Sequence, residues 1–415
     1  MNKLLKNLIR PEIIVLSAPL LITGPFFPDL IVSFSAFIFL AYVFKYNLYF
    51  YFKKKPLVIF FIFCVYCILL SVFVADDRIL SFESSLFYFR IGIFSCLIWY
   101  LIEKDTKILQ YFYYVFLLSF LVLVLDGYLQ YFTGFNIIGF PAHNGRISSL
   151  FGDEFIMGSY LSRLYPLALA LFLLRKKGKL ELYFVTSLFY LTSGLIYFSG
   201  ERAALFFHLL SLIFIILLVK KPKLNLVLIF LFFIISILIV SSTNENLKNR
   251  LINLTSIEIG INNEKKYIFT PSHDSLFKTA YKMFLDKPVF GHGPKMFRVI
   301  CKDEKYASGA SPCMTHPHNF YIQLLAETGI IGFMFLFSAL MYVIYCAARQ
   351  LKTILSKKKR YLSNYQICLL ACLLITLWPL SPNGNFFNNW LAICYSLPVG
   401  FYLHSIYGKN RKEIL

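Results

Sequence analysis

The segment of the chain richest in possible chemistry is a histidine that leads directly into an apolar helix. Thr315-His316-Pro317-His318-Asn319 runs straight into Phe320-Tyr321-Ile322-Gln323-Leu324-Leu325-Ala326-Glu327-Thr328-Gly329. Pro317 favours a break just ahead of the helix, which leaves His318 or Asn319 at its N-terminal end. An imidazole exposed there titrates near neutrality and suits a general base. The same residues also read as an ordinary His–Pro turn at a membrane interface. Metal binding is the weaker reading, because His316 and His318 lack a third ligand at recognisable spacing and no DxD or HExxH occurs.

A second candidate is Ser199-Gly200-Glu201-Arg202, a very short turn before another apolar run. An arginine beside a helix N-terminus makes a phosphate site, although arginines at helix ends also simply snorkel. The segment Phe132–Glu154 carries His143-Asn144-Gly145-Arg146 and Gly152-Asp153-Glu154. Arg146 there suits a phosphate and Asp153 or Glu154 sugar hydroxyls, or the segment is a polar connector.

Polar residues inside apolar runs are costly and so informative. Arg90, Arg163 and Glu327 each lie about eight residues in from one side, roughly 12 Å deep at the helical rise. Asp126 and His208 enter from that same side. Asn319, Gln323 and Glu327 recur every fourth residue and stripe one helix face. A polar cavity open to that side accounts for the set; interhelical hydrogen bonds and ion pairs account for it as well.

The elements that must position these residues are membrane helices. Of the 415 residues, 58% are hydrophobic, 19% aromatic and only 15% charged, well below the charge of a soluble domain. Apolar runs continue for roughly 18–25 residues, the length of a helical span, without the alternation of a barrel strand. The net charge of +20 does not point to nucleic acid, because Lys and Arg sit in short clusters between apolar runs: Lys53–Lys55, Arg175–Lys179, Lys220–Lys223, Lys357–Arg360 and Lys409–Lys412. Twelve spans are expected, at about 12–24, 29–45, 56–74, 83–102, 108–131, 155–174, 180–198, 202–219, 224–241, 319–348, 363–379 and 388–406. The first, preceded by Lys3, Lys6 and Arg10, reads as an uncleaved helix with no small-residue cleavage site. With both termini in the cytoplasm, the inner loops and termini hold more than half of the 41 Lys and Arg residues.

This organisation divides the chain into spans one to nine (1–241), a long periplasmic loop (242–318), and the last three spans with a cytoplasmic tail (319–415). The loop carries a helix-like run, Asp274–Leu285, then turn signals at Pro288, Gly291, Gly293 and Pro294. Cys301 and Cys313 alone among nine cysteines fall outside the expected spans, and in an oxidising periplasm they are expected to pair. Cys64-Val65-Tyr66-Cys67 has redox spacing but falls in mid-membrane, where apolar packing is the expected role.

Three segments together resemble the O-antigen ligase and Wzy-type O-antigen polymerase superfamily. They are Ser199-Gly200-Glu201-Arg202-Ala203-Ala204, then Ala280–Pro294 with its Asp286-Lys287-Pro288-Val289-Phe290-Gly291-His292-Gly293 stretch, and His318-Asn319 through Glu327-Thr328-Gly329. The resemblance covers about residues 195–335; the N-terminal half agrees in hydropathy and topology. It implies a GT-C-like, all-α integral membrane fold of about twelve transmembrane helices, located in the bacterial inner membrane with its active site toward the periplasm. It implies transfer of a glycan from undecaprenyl diphosphate without metal, nucleotide or other cofactor. His318 would be the base, supported by His316, Asn319 and Glu327, and Arg202 the first diphosphate ligand, with Arg146 and Arg163 as further candidates. The second family arginine is expected four residues before an aromatic that matches Phe277, and His273 stands there; His273, Lys278, Lys282 or Arg298 would take its task.

The acceptor separates two readings within this chemistry. A ligase moves the glycan onto lipid A–core, which is the reading favoured here; a polymerase moves it onto another lipid-linked glycan. A lipid or polysaccharide transporter is the third, but the hydropathy shows no internal repeat.

Overall fold

The computed structural model describes residues 10–411 except 144, 176–177, 221–223, 244, 259–266 and 268. Lys3, Lys6, Lys412 and part of the basic clusters at 175–179 and 220–223 lie outside the described residues, as does Asn144. Among those described, regular structure is helical, with two isolated bridges, Phe135–Pro141 and His143–Arg146.

The N-terminal half runs α1 (Pro11–Val15), α2 (Phe26–Tyr46), α3 (Lys55–Phe73), α4 (Arg78–Leu86), α5 (Phe89–Lys104), α6 (Lys107–Thr133), α7 (Met157–Leu174) and α8 (Lys179–Phe198). It continues with α9 (Arg202–Leu218), α10 (Leu224–Thr243), α11 (Glu245–Lys248), α12 (Leu254–Glu258), α13 (Pro271–Asp286) and α14 (Phe297–Ile300). The chain closes with α15 (Phe320–Leu355), α16 (Asn364–Thr376) and α17 (Asn389–Tyr407). By length and composition, seven helical segments are apolar enough to cross a membrane: α2, α3, α4–α5 together, α6, α7, α8 and α15. Arg202–Leu218, Val227–Ile239 and Asn364–Thr376 are shorter apolar helices.

The expected span at 12–24 is not one helix. It is the five-residue α1 followed by a 3-10 turn at Pro19–Thr23. Pro19 cannot donate to the α-helical ladder, and Gly24 at φ 99° turns the chain out of it.

Helix position follows from how apolar each helix is on all sides. The 18-residue apolar window of α7 is 83% buried against other helices, so α7 is central, packed on α16, α9 and α6. That of α3 is only 33% buried, and Phe73, Val65 and Ile62 face outward, as a lipid-facing helix requires. The pairing of α5 with α17 is sealed by Ser95 Oγ donating to the Ser396 carbonyl at 3.0 Å. A smaller apolar cluster lies apart from the bundle: Leu276, Ala280 and Met283 on one face of α13 pack with Phe297, Cys301, Tyr306 and Ala326. It joins the 271–313 region to the start of α15. Cys301 and Cys313 are joined by a disulfide with their Cα atoms 5.1 Å apart.

Candidate functional site

The site is built around the start of α15. Asn319 caps it, its side-chain oxygen accepting from the Tyr321 and Ile322 backbone N–H at 2.9 and 3.2 Å. Its amide donates to the carbonyls of Pro379 and Ser381, which fastens the cap to the loop between α16 and α17. The preceding residue, His318, sits at φ 56°, a left-handed conformation that side chains rarely adopt. It is retained because the Asn383 N–H donates to the His318 carbonyl at 2.7 Å.

Two other imidazoles meet His318. The His316 ring centroid is 4.1 Å away and that of His273 is 5.4 Å away. His273 is placed by the first turn of α13, where Thr270 caps the helix, Pro271 occupies the first position, and Thr270 Oγ1 and His273 Nδ1 are 2.7 Å apart. Burial, then the neighbouring His318 and Arg202, push His273 down to about 4. Burial and the neighbouring His318, Arg298 and His273 push His316 down to about 3. Burial also lowers His318, with the Asn383 backbone opposing. All three are therefore neutral at pH 7, and a neutral imidazole is the form that accepts a proton.

Arginines surround this cluster. Arg202 begins α9 and reaches Thr255 Oγ1 at 3.3 Å, and its charge is felt at His273. The charge of Arg298, on α14, is felt at His316. Arg163 on α7 donates through Nη2 to Asn383 Oδ1 at 3.0 Å, one residue's reach from the His318 carbonyl. The structure thus gathers His273, His316, His318, Arg202 and Arg298, with Arg163 joined through Asn383. Among the described residues, no group of three or more His, Cys, Asp or Glu side chains is arranged to hold a metal ion.

Other candidates have different work. Arg146 stacks 4.2 Å over Phe155 and donates to the Ser199 carbonyl, and Arg250 donates to the next carbonyl, Gly200. These two hold the turn ahead of Arg202 from behind. Glu201 in that turn accepts from Gly158 N, Ser159 N and Ser159 Oγ at 2.6, 3.1 and 2.8 Å, so it caps α7 from the turn before α9. Arg90 is paired with Asp29 at 2.6 Å. Asp126 accepts from Ile137 N and Ser149 Oγ, and His208 bonds Ser193 Oγ at 2.9 Å. These groups hold helices and loops together, whereas Arg163 is joined to the histidine cluster through Asn383.

Glu327 is likewise a structural hub. At Gly329 (φ 65°, ψ −169°) α15 is broken, which frees the carbonyls of its last turn. His292 N donates to the Ala326 carbonyl at 3.1 Å and Gly293 N to that of Glu327 at 2.7 Å. Ile330 N, beyond the break, donates to the Pro288 carbonyl at 2.9 Å, and Tyr66 Oη to that of Thr328 at 2.8 Å. The Glu327 side chain accepts from Phe297 N at 3.2 Å and Gln323 Nε2 at 3.0 Å, which seats α14 and therefore Arg298. Asp286 receives Lys305 Nζ and Tyr306 Oη, tying the disulfide-bridged insert to α13. The Asp286–Gly293 motif is thus the clamp on a broken helix.

Asn383 carries no role in the sequence reading, and Glu201 appears there only as part of the Ser199–Arg202 turn. The cluster Ser381-Pro382-Asn383-Gly384-Asn385 between two apolar runs was the available signal.

Fold and site together define a multi-pass helical membrane protein whose ionisable side chains converge at the start of one broken helix. Residues 187–337 match the family model described as O-antigen ligase, which places that segment, just over a third of the chain, in the O-antigen ligase and Wzy-type polymerase superfamily. No curated protein matches the chain.

Proposed function

We propose that this protein is a glycosyltransferase of the bacterial inner membrane that moves a glycan from undecaprenyl diphosphate to an acceptor hydroxyl at the periplasmic face. The acceptor in this reading is lipid A–core, as in an O-antigen ligase. Twelve crossings with cytoplasmic termini, the first made by the broken 12–24 segment rather than by one helix, and the 242–318 segment as the periplasmic loop domain, are the topology it uses. The observation that carries the reading is the convergence of His318, His273 and His316 with Arg202 and Arg298, all inside the segment that matches the family.

In the proposed step, the neutral His318 imidazole accepts the proton of the acceptor hydroxyl as its oxygen bonds to the anomeric carbon. The bond from that carbon to the phosphate oxygen breaks, and the electron pair leaves with the diphosphate. Arg202, Arg298 and Arg163 meet that charge, with Arg146 supporting Arg202 through the turn. His273, neutral at pH 7, contributes a hydrogen bond rather than a charge where the family expects an arginine. His316, Asn319 and Glu327 hold the geometry.

A deletion strain run on a lipopolysaccharide gel tests the reading. Loss of all attached O-chain supports the ligase. Core carrying a single repeat would instead assign a polymerase, and unchanged lipopolysaccharide with lost export of a lipid-linked glycan would assign a transporter.

A further inference from the structure

Asn383 stands between the two halves of this site. Its backbone N–H fixes the His318 carbonyl, and its Oδ1 accepts from Arg163 Nη2. The amide is oriented by its own Nδ2, which donates to the Ser381 carbonyl at 3.4 Å. Arg163 is only 6% exposed, lies 5.0 Å over the Phe207 ring, and has a buried Nε with no hydrogen-bond partner among the described residues.

A buried guanidinium is ordinarily matched by a carboxylate, as Arg90 is matched by Asp29. Arg163 is matched by a neutral amide instead. Glu201, the carboxylate whose charge reaches it, already accepts three hydrogen bonds at the start of α7. An amide acceptor aims the guanidinium without cancelling its charge, which is what an anionic ligand needs from its receptor.

We infer that Asn383 is a positioning residue that presents Arg163, still fully cationic, to the diphosphate of the lipid-linked donor while fixing the backbone of the base. This rests on the diphosphate reading of the site. It extends the site beyond residues 187–337 to the loop between α16 and α17.

The test is binding of undecaprenyl diphosphate, with undecaprenol as the uncharged control, to purified protein in detergent. Asn383→Ala keeps the backbone bond to His318 but releases Arg163, and should weaken diphosphate binding several-fold. Asn383→Asp keeps the shape and the acceptor but adds a carboxylate, and should weaken it by about tenfold or more. Undecaprenol binding should be unchanged in both. A merely structural role predicts the reverse order, because an Arg–Asp pair holds the loop at least as well as Arg–Asn. The inference is overturned if the Asp variant binds diphosphate as the wild type does, or no more weakly than the Ala variant. If the wild type itself does not distinguish undecaprenyl diphosphate from undecaprenol, the diphosphate reading has failed instead.

Discussion

Gly293 donates its backbone N–H to the Glu327 carbonyl at 2.7 Å, and this bond fastens the loop after α13 to the broken end of the first part of α15. The contact needs glycine on both sides of it. A Cβ on Gly291 would fall 2.5 Å from the Glu327 carbonyl carbon, and one on Gly329 would fall 2.1 Å from the Val289 carbonyl oxygen. Both glycines also hold positive φ. Backbone strain alone costs about 1–3 kcal/mol at such a position. Gly329→Ala should therefore lower the thermal midpoint in detergent and abolish glycan transfer together. Gly178→Ala, whose added Cβ meets nothing within 4 Å, should change neither. A Gly329→Ala protein with the wild-type midpoint would refute the clamp.

The base and the first phosphate ligand make separate demands. His318→Ala should abolish transfer while the protein still inserts and purifies normally, because the Asn319 cap of α15 does not need the imidazole. Arg202→Lys should also fail, since an ammonium cannot supply a two-pronged contact to a diphosphate. Surface polysaccharide at the wild-type level from a well-expressed His318→Ala strain would remove His318 from the mechanism.

The apolar helices were legible because their length and composition answer directly to the bilayer, as α3, α6 and α8 illustrate. Their interruptions were harder to read. The chain breaks between α4 and α5 just after Ser84-Ser85, both of which bond back to the Ser81 carbonyl, while Ser85 and Ser81 also hydrogen-bond to Ser71 of α3. The serine pair is a weak local signal, and the partner on α3 is a tertiary one. His318 and Arg202 stood out as ionisable groups at the ends of apolar runs. Asn383 did not, because its two partners, at positions 163 and 318, are far away in sequence. Glu327 was visible as a polar residue on a helix face, but whether it faces ligand or backbone depends on where Phe297 arrives.

The pH dependence follows from the neutral imidazoles. Burial lowers His318 below its ordinary 6.5, while His273 and His316 lie at about 4 and 3. As pH falls, protonation of His318 removes the base, so kcat/KM should decline on the acid side with a midpoint below 6.5. His273 and His316, at about 4 and 3, stay neutral above pH 5 and add no second limb there. An acid-limb midpoint above 6.5, with synthetic donor and acceptor, would assign the titration to some other group.

Glu201 yields the last prediction, because its carboxylate replaces a cap that α7 lacks. Ile156 at the N-cap position offers no side-chain acceptor, and Glu201 satisfies the Gly158 and Ser159 N–H groups from the turn before α9. Burial pushes Glu201 up to about 7 against those hydrogen bonds, so near neutrality it exists in both protonation states. Glu201→Gln keeps one of the two accepting oxygens and turns an amide N–H toward the other backbone N–H, so it should cost some stability but less than Glu201→Ala. Glu201→Ala leaves buried N–H groups unmatched and should cost about 1–3 kcal/mol. It should also loosen the packing of α7 against α9, and with it the spacing of Arg163 from Arg202. Thermal midpoints in detergent, measured beside transfer activity, separate the two variants. Equal midpoints for Gln and Ala would mean that the start of α7 draws nothing from Glu201.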